Sequence, residues 1–199
     1  MASIGFDQHT APPAETLALS AKILIAGGFG AGKTTLVAAV SEIPVLGTEA
    51  QMTEASDGVD DLGMTPAKTT TTVALDFGRI TLEPGLMLYL FGAPGQDRFW
   101  FMWDDLARGA IGAIVLADTR QLQAAFPAIG YFEQRGDIPF TVAVNLFDGY
   151  MTHDLDQVRE ALDLDQAIPI GSCDARHRDD VLAVLRDLIR HALRTLPAT

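Results

Sequence analysis

Gly27-Gly28-Phe29-Gly30-Ala31-Gly32-Lys33-Thr34 fits the pattern GxxxxGK[ST] at every fixed position. The flanks supply the context such a loop needs. Lys22-Ile23-Leu24-Ile25-Ala26 before it is a short apolar run of the kind that forms a buried strand, and Thr35-Leu36-Val37-Ala38-Ala39-Val40 after it continues as a helix. Glycines let the backbone curl so that the N–H groups from Gly27 to Thr35 point at phosphate oxygens, and the helix adds its positive N-terminal end. Lys33 would reach the β- and γ-phosphates, and the Thr34 hydroxyl would bind Mg²⁺. The plain alternative is a glycine-rich turn that merely joins strand to helix. Lys and Thr directly after the last glycine argue against it.

Composition limits what this loop can serve. The chain has 199 residues, enough for one good-sized core, with 48% hydrophobic and 20% charged residues, which is globular rather than disordered. No apolar run reaches the ~18 residues of a membrane span. A formal net charge of −12 disfavours non-specific binding to nucleic acid or to an anionic membrane, since both are polyanions. Cys173 is the only cysteine, so no internal disulfide forms and a reducing cytoplasm fits. The amino terminus lacks a signal-peptide pattern, Ala2 stands where myristoylation needs glycine, and Leu196 to Thr199 hold no cysteine for prenylation. A cytoplasmic protein without its own membrane anchor is expected, recruited to a membrane only through a partner. His9, His153, His177 and His191 are scattered and lack metal-ligand spacing.

Residues 1–20 show no sustained period and contain Pro12-Pro13, which predicts a mobile arm before a single domain over 21–199. The helix after the phosphate loop should stop near Glu42, ahead of Pro44. From Val45 to Lys68 no clean period is visible, and Glu54, Asp57, Asp60 and Asp61 collect there, either as a solvated loop or as a partner surface. Thr72 to Leu82 and Leu86 to Phe91 are predicted strands joined at Pro84-Gly85 as a hairpin. Phe99 to Trp103 are five consecutive bulky apolar residues, more than one face of a short helix can hide, so some should lie exposed. Ala110 to Asp118 and Phe140 to Phe147 have the continuous apolar character of central parallel strands, with a helix carrying Leu122, Phe126, Ile129 and Phe132 between them. A helix near Leu155 to Leu162, a short strand near Ile168-Pro169-Ile170 and a last helix with Val181, Leu185, Leu188 and Ala192 on one face complete the alternation. The fold class is α/β: three layers around a mostly parallel six-stranded sheet with one antiparallel edge strand.

Two later stretches bear on the ligand. Asn145-Leu146-Phe147-Asp148 keeps the ends of NKxD, and an Asp carboxylate can accept both the N1–H and the 2-amino donors of guanine, a pair that adenine lacks. Asn145 would brace the surrounding loops. Gly171-Ser172-Cys173-Asp174 sits just after the last predicted strand, where GTPases place SAK; that resemblance implies that the backbone N–H of Cys173 would donate to guanine O6, with a small buried residue as the plain alternative.

This order of motifs resembles the Ras-like small GTPases from about Lys22 to Leu196. Within them it looks most like the bacterial branch of the gliding-motility polarity GTPase and the GTPase component of actinobacterial conservon operons, on Thr72-Val73-Ala74-Leu75-Asp76-Phe77, Ala93-Pro94-Gly95-Gln96 and Ser172-Cys173-Asp174-Ala175-Arg176. The resemblance implies a switch that binds GTP and GDP with Mg²⁺. Thr72, or Thr71 in the other register of the threonine run, would bind Mg²⁺ and sense the γ-phosphate; Gly95 would donate to that phosphate, and Gln96 would orient the attacking water. Lys33, Thr72 and Gln96 form the implied catalytic set. Ser172, Cys173 and Asp174 join the nucleotide contacts, and Thr34 and Thr72 the metal ligands. Implied partners are small proteins of the roadblock type and sensor-kinase components, meeting the segments 45–72 and 92–105.

Three positions depart from the family pattern. Gly92 stands where DxxG has its Asp, leaving Asp97 or Asp76 to compensate; Leu146 replaces the Lys of NKxD; and Thr71 stands where the polarity GTPase has an arginine. Slow hydrolysis is expected, since an arginine finger contributes on the order of 10³ to 10⁵ in rate. A non-hydrolysing nucleotide-bound scaffold and an ATP-binding P-loop protein are the competing readings. Oligomeric state is not legible.

Overall fold

The structure, a computed structural model, describes residues 19–53, 70–83 and 85–195. The expected arm, apart from its last two residues, and the acidic positions Glu54 to Asp61 lie outside them. Strands β1 (Leu19–Gly27), β2 (Leu46–Thr53), β3 (Thr70–Glu83), β4 (Leu86–Gly92), β5 (Ala110–Ala117), β6 (Phe140–Asn145) and β7 (Ile170–Cys173) form one sheet in the order β2-β3-β4-β1-β5-β6-β7. The helices are α1 (Lys33–Val40), α2 (Trp103–Ala107), α3 (Phe126–Arg135), α4 (Leu155–Ala161) and α5 (Arg178–Thr195).

Alternation along the central strands creates the three layers. Ile23 and Ile25 of β1, with Ile114 and Leu116 of β5, face a core built by Leu36, Val37 and Val40 of α1 and Val181, Leu185 and Leu188 of α5. Leu24 and Ala26, with Ala113 and Val115, face the other core, filled by Trp103 and Leu106 of α2, Ile129 and Phe132 of α3 and Val158 of α4. Side chains alternate across a strand, so one apolar run feeds both layers. Burying each of the larger side chains contributes about 1.5–3 kcal/mol.

The sheet departs from the expected six strands. Leu46–Thr53 pairs antiparallel with Thr70–Phe77, adding a seventh strand, so the antiparallel member β3 lies one position in from the edge. β3 has 14 residues and β4 has 7, so the first part of β3 extends past its hairpin partner, and β2 takes up its backbone donors and acceptors. Leu46–Thr53 falls in the stretch from Val45 to Lys68 that shows no clean period, which is why it reads as a loop; antiparallel backbone pairing with β3 defines it as a strand.

Phe99 to Trp103 divide as expected. Phe99 and Trp103 are buried, whereas Trp100 and Phe101 are 40% and 55% exposed. Phe126, expected on the inward face with Ile129 and Phe132, is instead 44% exposed, because Ala125, Ala128, Ile129 and Phe132 make the buried face and Phe126 lies about 100° round the helix from Ala125.

Candidate nucleotide site

Strand β1 is the switch point of the sheet: the chain leaves it toward β4 on one side and returns to β5 on the other, which opens a crevice at the C-terminal ends of the strands. The phosphate loop fills that crevice. Gly32 precedes α1 at φ 103°, a conformation that glycine adopts without strain, and it lets the loop turn directly into the helix. An open cavity of about 470 Å³ borders the loop, lined by Lys33, Thr34, Thr35, Asp76, Gly95 and Gln96 among others. Phe29, at the tip, is 74% exposed.

The Lys33 ammonium donates to the Gly27 and Gly28 carbonyls at 2.9 and 2.7 Å. Burial pushes its pKa down to about 8, although Asp76 opposes the shift. Phosphate oxygens would favour the charged form, so above pH 8 binding takes up a proton and affinity falls as pH rises. The expected result is a loss approaching tenfold in nucleotide affinity per pH unit between about pH 8 and 9. Titration with nucleotide at pH 7, 8 and 9 checks it; a flat profile would remove Lys33 as the titrating group.

Thr34 Oγ1 donates to Asp76 Oδ2 at 2.6 Å. Asp76 lies on β3 directly opposite Gly92 of β4. A Cβ at Gly92 would sit 2.9 Å from both Cβ and Oδ2 of Asp76. The glycine at the DxxG position is therefore what gives the Asp76 side chain its room, and a carboxylate reaches the phosphate-loop threonine from the neighbouring strand. Of the two compensating carboxylates, Asp76 is the one shown at Thr34; the Asp97 side chain lies outside the described residues.

Gly95 approaches just as closely. A Cβ there would meet the Gly28 carbonyl carbon and Lys33 Nζ at 2.7 Å and the Gly27 oxygen at 2.8 Å. The loop after β4 thus lies against the phosphate loop, with half-buried Gln96 next in chain. Thr72 falls inside β3, opposite Gln51. Four residues of extended strand separate it from Asp76, about 13 Å, so this conformation does not bring it to Thr34.

At the base end, Asn145 is 6% exposed; its Nδ2 donates to the Ala31 carbonyl at 2.9 Å and its Oδ1 accepts from the Ala175 N–H at 3.0 Å. One amide ties the phosphate loop to the loop before α5, as expected of it. Asp148 lies in the 3₁₀ turn Phe147–Gly149, and its side chain is outside the described residues. Ser172 is exposed in β7, while Cys173 is 1% exposed. Cys173 is paired with Asn145, and its carbonyl accepts from Leu146 N–H at 2.8 Å. The expected donor thus lies within the strand, and the projecting loop begins with Asp174. Burial, with Asp180 and Asp174 adding to it, pushes the Cys173 thiol up to about 12, which leaves it inert. Asp174 accepts from the Arg176 Nε and Nη2 at 2.8 and 2.6 Å, which hold its carboxyl far below the usual carboxylate range; its N–H donates to Asp180.

Sequence reading missed Asp118 and Arg120. Asp118 is 7% exposed at the end of β5, and Arg120 forks onto it through Nε at 2.9 Å and Nη2 at 2.8 Å. Burial pushes the Asp118 carboxyl up, and its hydrogen bonds and ion pair with Arg120 more than reverse the shift. The only signal was a charged pair straddling Thr119 just after an apolar strand.

A phosphate loop at the switch point, with a half-buried lysine and a threonine–carboxylate pair beside it, makes this a P-loop nucleotide-binding protein with a three-layer α/β fold. The chain belongs to the family described as a conserved hypothetical ATP binding protein, whose model matches residues 25–195. An uncharacterised protein of Methanocaldococcus jannaschii is 30% identical over 97 residues, 49% of this chain and 50% of that protein. The chain thus spans about half the length of that curated relative. The G domain of the FeoB iron transporter of T. maritima is similar with a TM-score of 0.56 at 17% identity, over 89% of this chain and 99% of that one. The Arl6 BBS3 small GTPase from Trypanosoma brucei, solved with the analogue GppNp, has a TM-score of 0.61 at 16% identity, over 89% and 100% of the two chains. At such identities the likeness is one of fold. Among the described residues no helix is long and apolar enough to cross a membrane.

Proposed function

We propose that the chain is a guanine-nucleotide switch that binds GTP and GDP with Mg²⁺ and hydrolyses GTP slowly. The observation that carries this reading is the packing of Gly95 against Lys33 and the phosphate loop. A γ-phosphate drawing Lys33 off the Gly27 and Gly28 carbonyls has to move or engage that same loop, so the third phosphate is coupled to residues 93–103. Mg²⁺ is held in such sites by one or two carboxylates with substrate phosphates. A hydroxyl and a carboxylate 2.6 Å apart on the cavity wall fit that chemistry, so Thr34 and Asp76 are the residues that would hold the ion. When bound, it would neutralise charge on the β- and γ-phosphates.

The chain's own part is positioning and charge stabilisation, which is most of what phosphoryl transfer requires. Lys33 stabilises charge on the transferred group, Gly95 N–H donates to it, and Gln96 orients water. Thr72 would join only after β3 opens at its start. Asn145 braces the phosphate loop against the base end, and Asp148 reads the guanine edge. Effectors, roadblock-type and sensor-kinase proteins by resemblance, would dock near Trp100 and Phe101, which are exposed beside the responding loop.

The test is affinity for GTP, GDP and ATP, with and without Mg²⁺, on protein stripped of nucleotide, followed by phosphate release. Tight guanine binding that Mg²⁺ strengthens for GTP supports the reading. Gln96→Ala is expected to slow release about tenfold or more while leaving GTP affinity within about twofold; an unchanged rate removes Gln96 from the mechanism. The family description and Leu146 favour a second reading, an ATP-binding protein, which equal or better ATP affinity would establish. Absence of release under any condition would leave a nucleotide-bound scaffold.

A further inference from the structure

Within the 3₁₀ turn carrying Asp148, the Gly149 N–H donates to the Leu146 carbonyl at 3.4 Å, a long bond that closes the turn weakly. Leu146 N–H anchors its start on Cys173, but Leu146 is apolar where the motif has a lysine, and Tyr150 and Met151 beyond it are 78% and 40% exposed. A carboxylate can discriminate between bases only if its direction is fixed, because a freely turning one hydrogen-bonds whatever donors arrive.

The loop after β5 supplies the missing hold. The Arg120 guanidinium carbon lies 3.5 Å from the ring centroid of Phe147, the residue immediately before Asp148. Arg120 is itself fixed: its backbone N–H and Nε both donate to Asp118 Oδ1 at 2.9 Å, and Nη2 donates to Oδ2 at 2.8 Å. A planar fork on a buried carboxylate, stacked on an aromatic face, is a stiff arrangement that an ammonium cannot reproduce. On the far side of Asp148, Thr152 Oγ1 donates to Thr119 Oγ1 at 2.9 Å, so the same turn grips the base loop again. This segment also reaches the phosphate loop, since a Cβ at Gly28 would lie 2.5 Å from the Ala124 methyl.

We propose that Arg120 is a positioning residue for base recognition: anchored on Asp118 and stacked on Phe147, it holds the backbone of the Asn145–Asp148 loop in place at the base end of the nucleotide site. The inference rests on the reading of the chain as a guanine-nucleotide binder. It assigns to a residue outside the NKxD stretch the support that Leu146 does not provide, and it joins the phosphate and base ends through one turn.

The test compares GDP with IDP, whose hypoxanthine lacks the 2-amino donor, on the full chain stripped of nucleotide. Wild type is expected to prefer GDP clearly. Arg120→Ala should weaken GDP about tenfold and leave IDP within about twofold, because only the contact made by Asp148 is lost. Arg120→Ala also leaves Asp118 buried without its partner, so Phe147→Leu, which keeps that ion pair, is measured alongside and should show the same selective loss. Arg120→Lys should not restore selectivity. Equal weakening of both nucleotides in both variants would mean a structural role only, and an unchanged GDP/IDP ratio would overturn the inference by itself. Wild type without a GDP preference would overturn the guanine reading and this inference together.

Discussion

Lys33→Ala is expected to abolish measurable nucleotide binding, with a loss on the order of 10³ in affinity. Charge-assisted hydrogen bonds to ionised groups contribute about 1.5–3 kcal/mol each, and Lys33 would make two or more to the phosphates. Its ammonium already lies at the phosphate loop, held by Gly27 and Gly28 carbonyls at 2.9 and 2.7 Å, from which phosphate oxygens would draw it. The substitution removes a charge that burial disfavours, and the folded chain should tolerate it. Fluorescence titration with labelled GDP measures the effect, and a circular dichroism melt within a few degrees of wild type shows that the fold survives. Unchanged affinity would refute the phosphate-loop assignment.

Asp76→Ala should remove the Mg²⁺-dependent part of GTP affinity, about 10- to 100-fold, while affinity measured in EDTA falls by much less. Asp76 accepts the Thr34 hydroxyl at 2.6 Å and also raises the Lys33 pKa, so its loss both frees the threonine and deepens the lysine's shift. The converse variant is more telling. Gly92→Asp places a carboxylate where the DxxG pattern has one, yet its Cβ would come within 2.9 Å of Asp76 and set two carboxylates side by side. It is therefore expected to impair Mg²⁺ coupling rather than improve it, and the exchange Asp76→Gly with Gly92→Asp should recover part of what either change loses. Improved Mg²⁺ coupling in Gly92→Asp alone would show that the two positions do not compete for one space.

Local pattern carried much of this chain. The spacing of Gly27, Gly32, Lys33 and Thr34 between an apolar run and a helical run identifies the phosphate loop, because its chemistry is made by consecutive residues. The central strands β1, β5 and β6 are legible for a similar reason: buried on both faces, they are written as continuous apolar runs. Two residues picked out by motif do meet the phosphate loop, Asn145 bridging Ala31 and Ala175 and Gly95 packed on it.

Contacts between residues distant in sequence were decided only by the tertiary structure. β2 exists because the overhanging start of β3 needs hydrogen-bond partners, a demand with no trace in the composition of residues 46–53. Asp76 becomes the carboxylate at Thr34 because strand register places it opposite Gly92, 16 residues away, and glycine leaves it the room. Arg120 meets Phe147 because neighbouring parallel strands β5 and β6 end side by side. Sequence alone thus determined where phosphate would bind, since a backbone cradle is local; which carboxylate reaches Thr34 and what packs on Phe147 depend on how the strands lie side by side, which only the folded sheet sets.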